Sequence, residues 1–119
     1  MQERQALGAF AALSQETRLR IIRLLVKAGP KGLAAGTVSE AVEASSSNTS
    51  FHLGHLERAG LIRSRREARS IIYSLNVAGL TGLIRFLMED CCQANPEICA
   101  PTLESLVAAC SCEPETADG

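Results

Sequence analysis

Tryptophan is absent from this 119-residue chain and aromatics make up 3% of it, so a core has to be built from aliphatic side chains within the 46% hydrophobic content. No apolar run approaches the ~20 residues that a membrane span needs. The opening M-Q-E-R-Q carries an acid and no hydrophobic segment, so neither a membrane partner nor a secretion signal is expected, and the expected location is cytoplasmic. There is no nucleophile motif and no glycine loop to cradle a phosphate, and neither histidine is near a cysteine in sequence. An enzyme is therefore not expected.

Basic residues are missing from the last part of the chain. All 12 Lys and Arg lie at or before Arg85, facing six acids there, for a local balance of +6; beyond Arg85 there are seven acids and no base. The formal charge of −1 hides this division. Nucleic-acid affinity follows a local basic face rather than net charge, so the first part of the chain stays eligible for it.

The informative stretch is Ala44 to Gly60, A-S-S-S-N-T-S-F-H-L-G-H-L-E-R-A-G. Ser45 or Ser46 can cap a helix that Leu53 and Leu56 anchor and Gly60 closes by a left-handed turn. Its first turns then present Ser46, Ser47, Asn48 and Ser50, groups that meet base edges in a major groove, with His52, His55 and Arg58 along the flank. Upstream, Glu3 to Leu13 reads as a helix, with apolar Leu7, Phe10, Ala11 and Leu13 at roughly helical spacing. Ser14 caps a second, Gln15 to Ala28, with Leu19, Ile22, Leu25 and Val26 as its core face, stopped by Gly29, Pro30 and Gly32. Thr37 and Glu40 form a capping box for a short third helix reaching Val42 or Glu43. A short helix, the turn Glu43-Ala44-Ser45 and a second helix make a helix-turn-helix.

After Gly60 the period changes. Leu61 to Arg66 and Ser70 to Leu75 flank Glu67-Ala68-Arg69 and read as a β-hairpin, on which Arg63, Arg65, Arg66 and Arg69 concentrate positive charge. Beside a polar helix such a hairpin is a wing, with Arg65, Arg66 and Arg69, together with His52, approaching phosphates. Asn76 caps a last long helix whose stripe Leu80, Leu83, Ile84, Leu87, Met88 and Cys91 either packs on a second subunit, together with the N-terminal helix, or closes the monomer's own core. The expected fold is mainly α with a small β-hairpin, a winged helix-turn-helix over residues 1–93, homodimeric through its N- and C-terminal helices. Residues 94–119 form a Cys-containing loop, a short helix started by Pro101, and a flexible acidic tail.

Five cysteines, an odd number, all fall in the acidic part. Cys91 and Cys92 are adjacent, helix should end at Asn95-Pro96, and the following loop can return Cys99 to the pair. Three soft thiolates suit a thiophilic ion. Structural zinc prefers four ligands in spaced pairs, which here would need Cys110 or Cys112, whereas trivalent arsenic or antimony takes three sulfurs in a pyramid. Buried unreactive thiols and a reversible redox pair are the other readings, and a thiol metal buffer without DNA binding is a rival for the whole chain.

Together, L-S-Q-E-T-R-L-R-I-I-R-L-L, S-S-S-N-T-S-F-H-L-G-H-L-E-R-A-G-L-I and R-R-E-A-R-S-I-I-Y-S-L resemble the ArsR/SmtB family of metal-sensing winged-helix repressors over about Leu13 to Leu75. The resemblance implies a homodimer that binds operator DNA without metal and releases it when the ion binds. The family's original arsenic sensors carry Cys in the helix before the recognition helix. G-T-V-S-E-A-V has none here, and D-C-C-Q-A-N-P-E-I-C instead resembles the branch with its arsenite site at the end of the last helix. That resemblance implies Cys91, Cys92 and Cys99 as ligands of As(III) acting as inducer. Antimonite, organoarsenicals, zinc and cadmium are the alternative inducers.

Overall fold

A computed structural model describes residues 1–89 and 96–109. They comprise α1 (Glu3–Leu13), α2 (Glu16–Ala28), a 3-10 turn (Gly29–Lys31), β1 (Leu33–Ala34), α3 (Ala35–Val42), α4 (Ser46–Arg58), β2 (Ile62–Glu67), β3 (Ser70–Leu75), α5 (Val77–Met88) and α6 (Pro96–Ala109). The chain divides into two compact units, Met1–Phe86 and Leu87–Gly119. No described helix is long and apolar enough to cross a membrane.

In the first unit α3 and α4 form the helix-turn-helix, and β2 and β3 form the wing. The sheet has three strands in the order β1-β3-β2, not the expected two. β1 pairs Leu33 with Tyr73 and Ala34 with Ile72, and at two residues it is too short to leave a period in the sequence. Gly32 makes that pairing possible. Its φ is 73°, and a Cβ there would lie 2.5 Å from the Tyr73 carbonyl oxygen.

Side chains of Ile21, Leu25, Val38, Leu53, Leu56, Leu61 and Ile62 are fully buried and make the core, joined by Leu83 of α5. In two helices the buried face leaves out large apolar side chains. In α1 the buried residues are Ala6, Ala9 and Ala12, while Leu7 is 62% exposed and Phe10 also faces out. Small side chains let α1 approach α2 and α4 closely, and the larger apolar ones are left outside. In α2 the inward face is Arg18, Ile21, Ile22 and Leu25, with Leu19 and Val26 exposed.

Several boundaries move as well. Ser14 ends α1, and Gln15 caps α2 by accepting from the Arg18 N–H. Ala34 precedes α3, which places Thr37 inside the helix without a capping bond. Asn76 starts α5 through its carbonyl, which accepts from the Gly79 and Leu80 N–H groups. Its side-chain amide donates to the Gly60 carbonyl and accepts from Arg63. In α5 Leu83 is buried whereas Ile84 and Leu87 are exposed, so the expected apolar stripe is only partly spent on the monomer core.

In the second unit α6 opens at Pro96 and contains Pro101, where a start at Pro101 was expected. Proline is tolerated at the first helical position because its missing N–H would have had no intrahelical partner. Cys99 therefore belongs to a helix rather than to a loop. Cys91, Cys92, Cys110 and Cys112 lie outside the described residues, as does the Cys99 side chain. Asn95, expected to end α5, lies outside them too; the described part of α5 ends at Met88.

Candidate nucleic-acid interface

The turn before α4 is fixed by hydrogen bonds. Glu43 closes α3 in a left-handed conformation, the Ala44 N–H donates to the Ser39 carbonyl, and the Ser39 hydroxyl donates back to the Ala44 carbonyl at 2.6 Å. Ser45 then caps α4, its hydroxyl accepting from the Asn48 N–H at 3.1 Å. Gly60, with φ 81°, carries the chain out of α4 into the wing.

Thr49, Leu53 and Leu56 bury one side of α4. At about 100° per residue, Ser47, Phe51, His55 and Arg58 fall on or near the opposite side, with Ser46, Asn48, Ser50 and His52 at the flanks. Ser46, Ser47, Asn48 and Ser50 are all exposed. The helix thus offers hydroxyl and amide groups to solvent along its first half while its buried residues hold it to the core. Its length of roughly 20 Å suits a groove about 12 Å wide entered by one end.

His52 sits differently from the phosphate-facing cation expected of it. Arg18 is buried; its Nε donates to the Ala12 carbonyl at 2.6 Å, and its Nη1 lies 3.2 Å from His52 Nδ1. A guanidinium can only donate, so Nδ1 must accept and the ring proton of neutral His52 resides on Nε2. Burial, then the charges of Arg18 and His55, hold the His52 pKa below its ordinary value, so the ring is neutral at pH 7. His52 can still donate a hydrogen bond through Nε2, but not a charge. The His55 pKa is lowered too, by burial and then by Arg18 and Arg58.

On the wing the arginines separate by face. Side chains alternate along a strand, which puts Ile62, Ser64 and Arg66 on one side and Arg63 and Arg65 on the other. The Ser64 hydroxyl donates to Glu57 of α4 at 2.8 Å, which identifies the α4 side and assigns Arg66 to it. Arg65 faces away, its Nε donating to Glu67 at 2.8 Å and its Nη2 to the Lys31 carbonyl at 2.8 Å. In the absence of DNA these bonds tie the wing to the 3-10 turn. Ala68 and Arg69 form the two-residue tip between Glu67 and Ser70. Among the described residues Arg66 and Arg69 make no side-chain hydrogen bond or ion pair, so both are available to an anion.

Arg18 and Phe51 were not singled out from sequence. Arg18 was hidden by the assumption that a core face is apolar. Phe51 was readable: once Leu53 is inward, a residue two positions away lies about 200° around the helix, facing out. Among the described residues no group of His, Cys, Asp and Glu is arranged to hold a metal ion. The expected thiol site lies outside them.

A two-helix reader with a basic wing defines a DNA-binding regulator, and comparison with known proteins agrees. The helix-turn-helix domain family matches residues 13–65. The transcriptional activator HlyU of Vibrio cholerae is 34% identical over 91 residues, spanning 76% of this chain and 82% of HlyU. Its solved structure superposes with a TM-score of 0.60 at 31% identity, covering 77% of this chain and 99% of that one. An ArsR-like transcriptional regulator from Rhodococcus sp. RHA1 superposes with a TM-score of 0.62 at 27% identity, covering 94% and 95% of the two chains. The homodimeric winged helix-turn-helix domain of Mb0332 from Mycobacterium bovis, a possible ArsR-family regulator, has a TM-score of 0.58 at 26% identity, covering 72% and 80%. The chain belongs to the ArsR/HlyU family of winged helix-turn-helix transcriptional regulators.

Proposed function

We propose that this protein is a homodimeric repressor that grips operator DNA with α4 and the wing, and lets go when As(III) binds Cys91, Cys92 and Cys99. The observation that carries the DNA part is the exposed row Ser46, Ser47, Asn48 and Ser50 on a helix fixed by buried Thr49, Leu53 and Leu56. Ser and Asn side chains hydrogen-bond base edges, Arg66 and Arg69 neutralise phosphates, and His52 adds a neutral Nε2–H donor. Dimerisation is supported by the large apolar side chains left outside on α1 and α5: Leu7, Phe10, Val77 and Ile84. The homodimeric state of the Mb0332 domain is the precedent. Two-fold symmetry then presents two α4 helices to successive major grooves.

The inducer follows from the donor set. C-C-x₆-C supplies three thiolates in nine residues, without the spaced pairs of a structural zinc site, which suits a three-coordinate thiophilic ion. Closing three sulfurs on one ion constrains residues 91–99, directly after α5, and biases the dimer toward a non-binding arrangement. A tenfold loss of operator affinity needs only about 1.4 kcal/mol of such bias. The test is to titrate arsenite into the preformed protein–DNA complex, with antimonite, zinc and cadmium in parallel. Arsenite should release the wild type, while Cys91→Ser and Cys99→Ser should bind DNA normally and resist release. Release from both variants would remove the three thiols from the mechanism, and release by zinc or cadmium alone would reassign the inducer.

A further inference from the structure

Phe51 is 61% exposed, the one large apolar side chain on the outward side of α4. It lies between Ser47, four residues earlier, and Arg58, seven later, all on one stripe by helical periodicity. Its ring is held by two edge-to-face contacts, to His52 at 5.5 Å between centroids and to His55 at 6.4 Å. Since Arg18 in turn fixes His52, the phenyl group is oriented before any ligand arrives. The core does not need this ring, and its polar neighbours make a poor apolar interface with another protein.

We propose that Phe51 is a specificity-determining residue that packs on the 5-methyl group of a thymine. This rests on the reading of α4 as the helix that enters the major groove. Along the floor of that groove the thymine methyl is the one apolar group that projects from a base edge, cytosine offering only a C5–H in its place, and phenylalanine is among the side chains that contact it. An oriented aromatic in the middle of the outward stripe therefore selects T·A at one position of each half-site. The neighbouring Ser and Asn side chains read hydrogen-bonding groups and would tolerate uracil in its place.

The experiment uses the full-length protein and duplexes it enriches from a randomised DNA pool. Each thymine of an enriched duplex is replaced singly by deoxyuridine, which keeps the base pair and deletes only the methyl. At one position in each half-site the wild type should lose about fourfold in affinity, the equivalent of one buried methyl-sized group. Phe51→Ala should bind thymine and uracil forms equally at that position, Phe51→Leu should keep a smaller preference there, and both should unfold at the wild-type temperature. Equal wild-type affinity for every substituted duplex would overturn the proposal, as would a Phe51→Ala variant with undiminished thymine preference. A wild-type protein that enriches no duplex at all would refute the reading of α4 itself, an outcome separate from the first two.

Discussion

The wing offers a quantitative separation between arginines that look equivalent in the sequence. Binding that neutralises phosphates weakens with salt, with a slope of about −0.9 in log affinity against log salt for each phosphate contacted. The proposed dimer brings two wings, so Arg66→Ala or Arg69→Ala should reduce the slope by about 1.8. Between 50 and 200 mM salt the wild type should then lose about twelvefold more affinity than either variant. Arg65 should behave otherwise, because its guanidinium is spent on Glu67 and the Lys31 carbonyl, both at 2.8 Å. With its side chain about 41% exposed, that ion pair contributes at most about 1 kcal/mol to stability. Arg65→Ala should lower the unfolding midpoint slightly and leave the salt slope unchanged. Fluorescence anisotropy of a labelled duplex over a salt series reads all three variants. The reasoning fails if Arg65→Ala flattens the slope as much as Arg66→Ala does.

Other predictions concern the support beneath α4. The Thr49 hydroxyl is buried and has no partner among the described residues, so Thr49→Val should raise stability by about 1 kcal/mol in urea denaturation; a clear loss would show that the hydroxyl is satisfied. Arg18→Met strands the Ala12 carbonyl and His52 Nδ1, and should cost about 2–4 kcal/mol, with a shifted midpoint and an unchanged denaturant slope. Because the His52 pKa is lowered on folding, the stability it contributes is present above 6.5 and is lost as pH falls through the depressed folded value. The urea midpoint should therefore begin to drop as pH falls below about 6.5, and His52→Asn should lessen the drop. A midpoint that rises on acidification would contradict this assignment.

The helix-turn-helix was legible because its signals are local: a serine cap, Leu53 and Leu56 at helical spacing, and a closing Gly60. The hairpin was legible from its change of period. What the sequence concealed was decided by tertiary packing. Helix α1 spends Ala6, Ala9 and Ala12 on its close approach, the reverse of a rule that sends the largest apolar residues inward. Arg18 occupies a core position because a helix-end carbonyl and a histidine are there to receive it. Arg65 and Arg66 are neighbours in the chain yet belong to opposite faces of the wing, and only strand register and the Ser64–Glu57 bond say which face looks toward α4.

The account turns on whether α4 and the wing read duplex DNA as a symmetric pair. Repeated selection of the purified full-length protein against a randomised duplex pool, followed by sequencing, addresses this most directly. The predicted result is a two-fold symmetric site whose half-sites are centred about 10 base pairs apart, or a multiple of that, bound more weakly as salt rises. Recovery of no duplex at low salt, or of duplexes sharing no sequence, would contradict it.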